Sequence, residues 1–328
     1  MDEPLLFESH LRPMVWGGRR LADVLGKELP GAGPYGEAWE ISDHASHASR
    51  VCRGRFAGRT LRQLMQERRE ELLGRAARRH ATFPLLVKLL DADDWLSVQV
   101  HPDDEAVKTL WPGEGGKTEA WFVLAAEPGS RVYAGLKPGV DEPRLRDALA
   151  RGAVADCLHR FTPQPGDCLF LRAGTVHAVG GGVLMAEVQQ TSDATFRLYD
   201  WDRRDAQGRG RQLHVEKALA CIDWRAGPVE PVRVPDFAAA PVGPPERRLL
   251  VECPYFTLEY LRGGGRLACG GAGRLRLLTV VRGAGRLVTA AGAEAVEVGQ
   301  TWLLPASLPE ASVEPRGGLG ALLSTLPE

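Results

Sequence analysis

Glycine and proline set the strongest limit on what this chain can fold into. With 38 Gly and 23 Pro among 328 residues, its apolar stretches are cut into short runs bounded by turn signals, a pattern of strands and tight turns rather than of a helical bundle. The fold is expected to be mainly β. Helical periodicity holds in three places: about 60–80 (TLRQLMQERREELLGRAARR), about 141–157 (opening DEPRLRDALARG) and about 214–224 (HVEKALACIDW). These helices are expected to cover or connect sheets.

A prior of roughly 150 residues per domain predicts about two domains. The segment 225–246, RAGPVEPVRVPDFAAAPVGPPE, is rich in Pro and Ala without sustained period, the composition of a linker. The expected division is therefore 1–225 and 226–328. GDCLFLRAGTVH (Gly166 to His177) and GQTWLLPASLPE (Gly299 to Glu310) align without gaps, each with a turn glycine, a hydrophobic strand and a second turn. One β-fold used twice is the simplest reading. Glu310 falls opposite His177, so the second copy is expected to lack any metal site the first carries.

Charge and hydropathy exclude several classes. Lys plus Arg number 41 against 42 Asp plus Glu, a net charge of -1, which gives no bulk positive field for a nucleic acid. Hydrophobic residues at 44% and charged residues at 25% exclude a disordered chain. The start, MDEPLLFESH, has neither a basic nor an apolar leader region, and no run approaches the ~20 apolar residues of a membrane span. A cytoplasmic protein with no membrane partner is expected, as a monomer or weak homo-oligomer. Six cysteines, at 52, 157, 168, 221, 253 and 269, are too scattered for a CxxC motif and too few for a disulfide scaffold. They are expected to be reduced and mostly buried.

Three polar groups interrupt the apolar runs. In LSVQVHP, Ser97, Gln99 and His101 share one face of a strand because side chains alternate, with Val98 and Val100 on the other. Polar groups on a core-facing strand need hydrogen bonds, a ligand or a metal to offset desolvation. In GGKTEAWFVL, Lys117, Glu119 and Trp121 share a face; a salt-bridged edge is the plain alternative. His177 follows in RAGTVHAVGGG, at a glycine-rich turn. Gln99, His101, Glu119 and His177 together supply two imidazoles, a carboxylate and an amide oxygen, a first shell for zinc with room for water or substrate. The site charge would be about +1. Fe(II), Co or Mn would fit the same ligands.

These motifs resemble class I phosphomannose isomerases in their short bacterial form. The resemblance rests on WGG at Trp16 to Gly18, GEAWEIS from Gly36, LLVKLLDADDWLSVQVHPDDE from Leu85, GKTEAWFVL from Gly116, AGTVHAVGGG from Ala173 and EVQQTSDATFRLYDWDR from Glu187, in the family's order. It implies two cupin-like jelly rolls with a few covering helices. The implied activity is zinc-dependent interconversion of mannose 6-phosphate and fructose 6-phosphate. The same four residues carry over as metal ligands, Arg197 as the catalytic arginine, Lys117 as the active-site lysine, and Lys88 and Ser97 as phosphate-holding positions. Arg172 and Gly181 stand where a general cupin turn has Pro and Asn.

Aldose–ketose conversion passes through an enediol, so the site must stabilise negative oxygen and carry one proton. Arg197, always charged, suits the first task. Lys117 is the first candidate for the second, with Glu187 and Asp193 as alternative bases or as groups orienting a ligand. Lys88 lies in the apolar run LLVKLL and must have an anionic partner, Asp91 or another carboxylate if not a phosphate. Two alternatives use the same residues: a non-haem Fe(II) dioxygenase, and a sugar-binding cupin without catalysis. His44 and His47 lack a third ligand and are expected in a hairpin. The glycine run from Gly263 lacks a phosphate-loop ending, and RREELLGRAARR reads as a solvated helix face.

Overall fold

The computed structural model describes residues 1–205 and 207–327. Strands dominate it, and every strand pair is antiparallel. A five-stranded sheet runs Leu158–Phe161, Arg131–Leu136, His177–Gly180, Val98–Val100, Phe196–Tyr199. A seven-stranded sheet runs Val232–Arg233, Asp167–Leu171, Glu119–Ala126, Val183–Gln190, Leu85–Ala92, Glu37–Ile41, His10–Arg12. Their inner faces meet in one apolar cluster, with Val132, Ala134 and Val179 from the first and Leu90, Trp121, Val123, Leu169 and Met185 from the second. This is a two-sheet jelly roll whose interior is apolar at one end and, as described below, charged at the other.

Each sheet also buries its outer face, which explains its near-continuous apolar runs. Behind the five-stranded sheet, Val98, Val100 and Phe196 pack against helices Glu142–Ala150 and Val215–Cys221. Behind the seven-stranded sheet, Leu85, Val87, Leu89 and Phe122 pack against helix Leu61–Leu73 and against Leu258, Tyr260, Leu277 and Leu303 of the C-terminal sheet. That third sheet, eight-stranded, folds round a core of its own containing Leu278, Val280, Trp302 and Val313. The aligned segments each open at a glycine of positive φ, Gly166 at 92° and Gly299 at 85°, and enter strands Asp167–Leu171 and Thr301–Leu304.

The three expected helices are present but shorter. Thr60 and Gln63 form a reciprocal cap for Leu61–Leu73. The helix stops at Gly74, at φ 60°, where a Cβ would lie 2.4 Å from Gly273 O; Arg75–Arg78 continue as a 3-10 turn. Close approach to the C-terminal unit thus ends the helix before residue 80. Two brief helices, Arg20–Asp23 and Ala106–Leu110, are too short to show a period.

The structure does not part cleanly at residue 225. Leu5 pairs with Leu303 in the C-terminal sheet, and Val232–Arg233 joins the seven-stranded sheet beside Asp167–Leu171. Phe237, expected in a linker, stacks edge-on to Phe122 at 5.2 Å. His44 and His47 do lie in a hairpin, Asp43–His44 with His47–Ala48. All six cysteines are free thiols; Cys157, Cys168 and Cys269 are buried, while Cys52 is exposed. No helix among the described residues is long and apolar enough to cross a membrane.

Candidate metal centre and sugar cleft

Strand pairing assembles the site. In the five-stranded sheet His177 lies opposite Gln99, and Gln99 opposite Arg197. Directly opposed residues share a face, so three adjacent strands present one row into the sandwich. His101 follows Gln99 by two positions on that face. Glu119 opens a strand of the facing sheet and meets the row from across the interior: its Oε1 is 3.4 Å from His177 Nε2, and its Oε2 is 3.5 Å from His101 Nε2. Gln99 Nε2 is 3.3 Å from His177 Nε2. All four expected ligands are buried and converge.

The tautomers follow from the partners. His101 Nδ1 donates to Ala194 O at 2.8 Å and His177 Nδ1 to Thr175 O at 2.9 Å. Each ring therefore turns an unprotonated Nε2 inward, as metal-ligating histidines do. Glu119 Oε1 is buried without a hydrogen-bond partner, and Oε2 is met by the Lys117 ammonium at 2.8 Å. A buried carboxylate with one unpartnered oxygen, facing two nitrogen lone pairs, is a donor set that fits a divalent cation. Burial, followed by the charge of Lys117, lowers His101 to about 4. His177 is also lowered, chiefly by burial. Burial opposes ionisation of Glu119, but Lys117 and the imidazoles hold its carboxyl well below the usual range.

Lys117 Nζ is 2.8 Å from Glu119 Oε2 and 3.1 Å from His101 Nε2, so the expected salt bridge is part of the ligand cluster. Lys88 and Glu187 are opposed in the seven-stranded sheet, with Nζ 3.0 Å from Oε1. Trp39 lies under that ammonium at 5.3 Å, and Trp121 Nε1 donates to Glu187 Oε2 at 2.8 Å. Burial opposes the charge on Lys88, but Glu187, Glu37 and Asp193 together raise its pKa above the ordinary lysine value. The partner of Lys88 is thus Glu187. Asp91, three residues along the strand, instead binds Arg20, whose Nε donates at 2.8 Å.

Arg197 is differently placed. Its Nε donates to Ser97 Oγ at 3.2 Å and its Nη1 to Gln212 O at 2.9 Å. Burial comes first, then Arg211, in lowering its pKa. Arg197, Ser97, Gln99, Lys88, Lys117 and Glu187 line one polar cleft of about 210 Å³ with Arg12, Glu37, Trp111, Asp193, Arg211 and His214, whereas His101, Glu119 and His177 lie behind its lining. Of its five Lys and Arg residues, four have a carboxylate within 4.0 Å: Arg12 has Glu37 and Asp193, Lys88 has Glu187, Lys117 has Glu119, and Arg211 has Asp200. Among the described residues, Arg197 makes no such pair. Asp193 is held below its ordinary pKa by Lys88 and Arg12 against the opposing effect of burial.

Sequence reasoning missed Arg12, Glu37, Trp111, Arg211 and His214 as cleft residues. His214 was visible only as a helix start, and Arg211 as one arginine in an arginine-rich chain. Arg12 comes from an edge strand, Glu37 from the first position of the strand beside it and Trp111 from a loop, places where no period marks a face.

Comparison with known proteins gives a consistent family. Residues 5–118 match the model of the phosphomannose isomerase type I catalytic domain. The chain is 36% identical to the mannose-6-phosphate isomerase of Streptococcus mutans, over 93% of each chain. It is 35% identical to the mannose-6-phosphate isomerase ManA of Bacillus subtilis, over 95% of this chain and 96% of that one. A crystal structure of the mannose 6-phosphate isomerase from Bacillus subtilis superposes with a TM-score of 0.85 at 28% identity, covering 98% of this chain and 99% of that chain.

Proposed function

This chain belongs to the type I phosphomannose isomerase family and is an aldose–ketose isomerase of mannose 6-phosphate; from that premise we propose how its residues divide the work. Gln99, His101, Glu119 and His177 would hold one divalent ion, zinc first, with other divalent metals as substitutes. The supporting observation is the buried Glu119 carboxylate, its Oε1 unpartnered, facing two Nε2 lone pairs. Bound there, zinc would supply a Lewis acid for the sugar's oxygens at a net site charge of about +1.

The remaining roles follow from charge balance. A phosphate dianion needs a cation not already neutralised, and among the described residues Arg197 is the cleft-lining one without a carboxylate partner. Its guanidinium and Ser97 Oγ, 3.2 Å apart, form one anion-holding corner, with Arg211 and His214 alongside. On this reading the phosphate is held by Arg197 in preference to Lys88, which Glu187 already balances, and Arg197 takes that role in place of the catalytic one the resemblance implies. Ser97 keeps its role. Lys117 carries the proton between adjacent sugar carbons: its Nζ is beside the ligand cluster and lines the cleft. Glu187, buried and also lining the cleft, orients Lys88 and is the second candidate base. Asp193 fixes Arg12 at 3.4 Å. The dioxygenase and non-catalytic readings are set aside by the family. The substrate is a small hexose 6-phosphate, and the proposed placement is cytoplasmic.

A coupled assay for fructose 6-phosphate, with chelator and with zinc restored, tests the metal reading. Turnover should vanish on stripping and return with zinc. Full activity in a chain shown by elemental analysis to be metal-free would overturn it.

A further inference from the structure

The loop 102–118 joins two proposed ligands, His101 and Glu119, and brings Trp111 and Lys117 to the cleft. Its two ends are drawn together at Asp104. Gly116 N donates to Asp104 Oδ1 at 3.1 Å, and Lys117 N to Pro102 O at 2.9 Å. A Cβ at residue 116 would lie 2.5 Å from Asp104 N, so this approach requires glycine. Gln190 Nε2 also donates to Asp104 Oδ1 at 3.1 Å, while Gln190 Oε1 accepts from Thr118 N at 2.9 Å.

The other oxygen of Asp104 belongs to the C-terminal unit. Tyr255 OH donates to Asp104 Oδ2 at 3.0 Å. The ring of Tyr255 packs against the core that both units share. Burial, then the bond to Asp104, pushes its phenol up to about 12, so the hydroxyl remains a donor at neutral pH. Tyr255 is not among the cleft-lining residues, so any effect on turnover must pass through Asp104.

We infer that Tyr255 is a positioning residue for the isomerisation: its hydroxyl, through Asp104 and Gly116, lets the C-terminal unit fix the loop that aims Lys117 and Glu119. This rests on the roles proposed above for those two residues. The bond is open to solvent, so the expected effect is modest, about threefold in turnover.

Tyr255→Phe in the full, zinc-loaded chain removes one oxygen and leaves the packed ring. The expected result is a kcat about threefold lower, with KM, thermal midpoint and metal content unchanged. In the metal-free chain, the amides of Gly116 and Lys117 should exchange hydrogen faster in Tyr255→Phe than in wild type. Asp104→Ala should lose at least as much kcat, and adding Tyr255→Phe to it should change nothing further. The inference is overturned by an unchanged kcat, by unchanged exchange at those amides, by a kcat loss that only tracks lost folded protein, or by the same loss on the Asp104→Ala background. Wild type assayed alongside reports separately on the underlying reading: chelator-insensitive wild-type turnover would remove both.

Discussion

Glu119 is the residue that most constrains the chemistry, because a fully buried carboxylate facing two imidazoles is costly unless positive charge lies close by. Lys117 supplies part of that charge, and the inward Nε2 atoms of His101 and His177 point to a metal for the rest. His177→Ala removes one lone pair at the start of a strand that tolerates alanine. Bound zinc and isomerase activity should both be lost while circular dichroism and a cooperative melt persist; an active, metal-replete variant would refute the ligand set. Arg197 poses a different test, since it has no carboxylate partner among the described residues and so has charge to spare for substrate. Arg197→Ala should keep its zinc, lose about 100-fold in kcat/KM, and become insensitive to inhibition by inorganic phosphate. Undiminished phosphate inhibition in that variant would place the phosphate elsewhere.

At the scale of elements, the site is made by pairing register, and register explains what could be read in advance. The period-two face carrying Ser97, Gln99 and His101 was visible because alternation along one strand is local. The opposition of His177, Gln99 and Arg197 in one row was not, because cross-strand register is set by contacts tens of residues apart. The same limit hid the Lys88–Glu187 pair, whose members are on neighbouring strands far apart in the chain. The hairpin that replaces a second metal pair carries its own consequence. His47 stacks on His10 of the edge strand, with ring centroids 4.0 Å apart, and burial followed by that neighbour lowers His47 to about 4. A histidine with a depressed folded pKa takes up its proton first in the unfolded chain. Its contribution is intact above 6.5 and is lost as pH falls from there towards about 4. The metal-free protein should therefore melt lower at pH 5 than at pH 7.5, and His47→Gln should narrow that difference. Parallel pH profiles for the two proteins would show that the stack has no such effect.

At the scale of the whole molecule, composition suggested two units joined by a linker, but packing makes them interdependent. A Pro- and Ala-rich segment looks alike whether it hangs free or lies along a sheet edge, as Val232–Arg233 does here. The seven-stranded sheet holds half of the site on one face and shares a core with the C-terminal unit on the other. Cutting after residue 225 would remove the C-terminal part of the cover over Leu85, Val87, Leu89, Phe122 and Val188, leaving them helix Leu61–Leu73, and would strip Leu5–Leu6 of its partner strand. At about 2 kcal/mol for each large apolar side chain fully returned to water, losing roughly half of that burial at five positions costs about 5 kcal/mol. That is comparable with the entire stability of an ordinary domain, about 5–15 kcal/mol. Residues 1–225 should thus show no cooperative melt and no tight zinc binding, although they contain every proposed ligand. The measurement is near-ultraviolet circular dichroism with a zinc titration on the truncated chain. A sharp thermal transition with stoichiometric zinc would mean that the site needs only its own jelly roll, and the second unit would then have to be explained by something other than support.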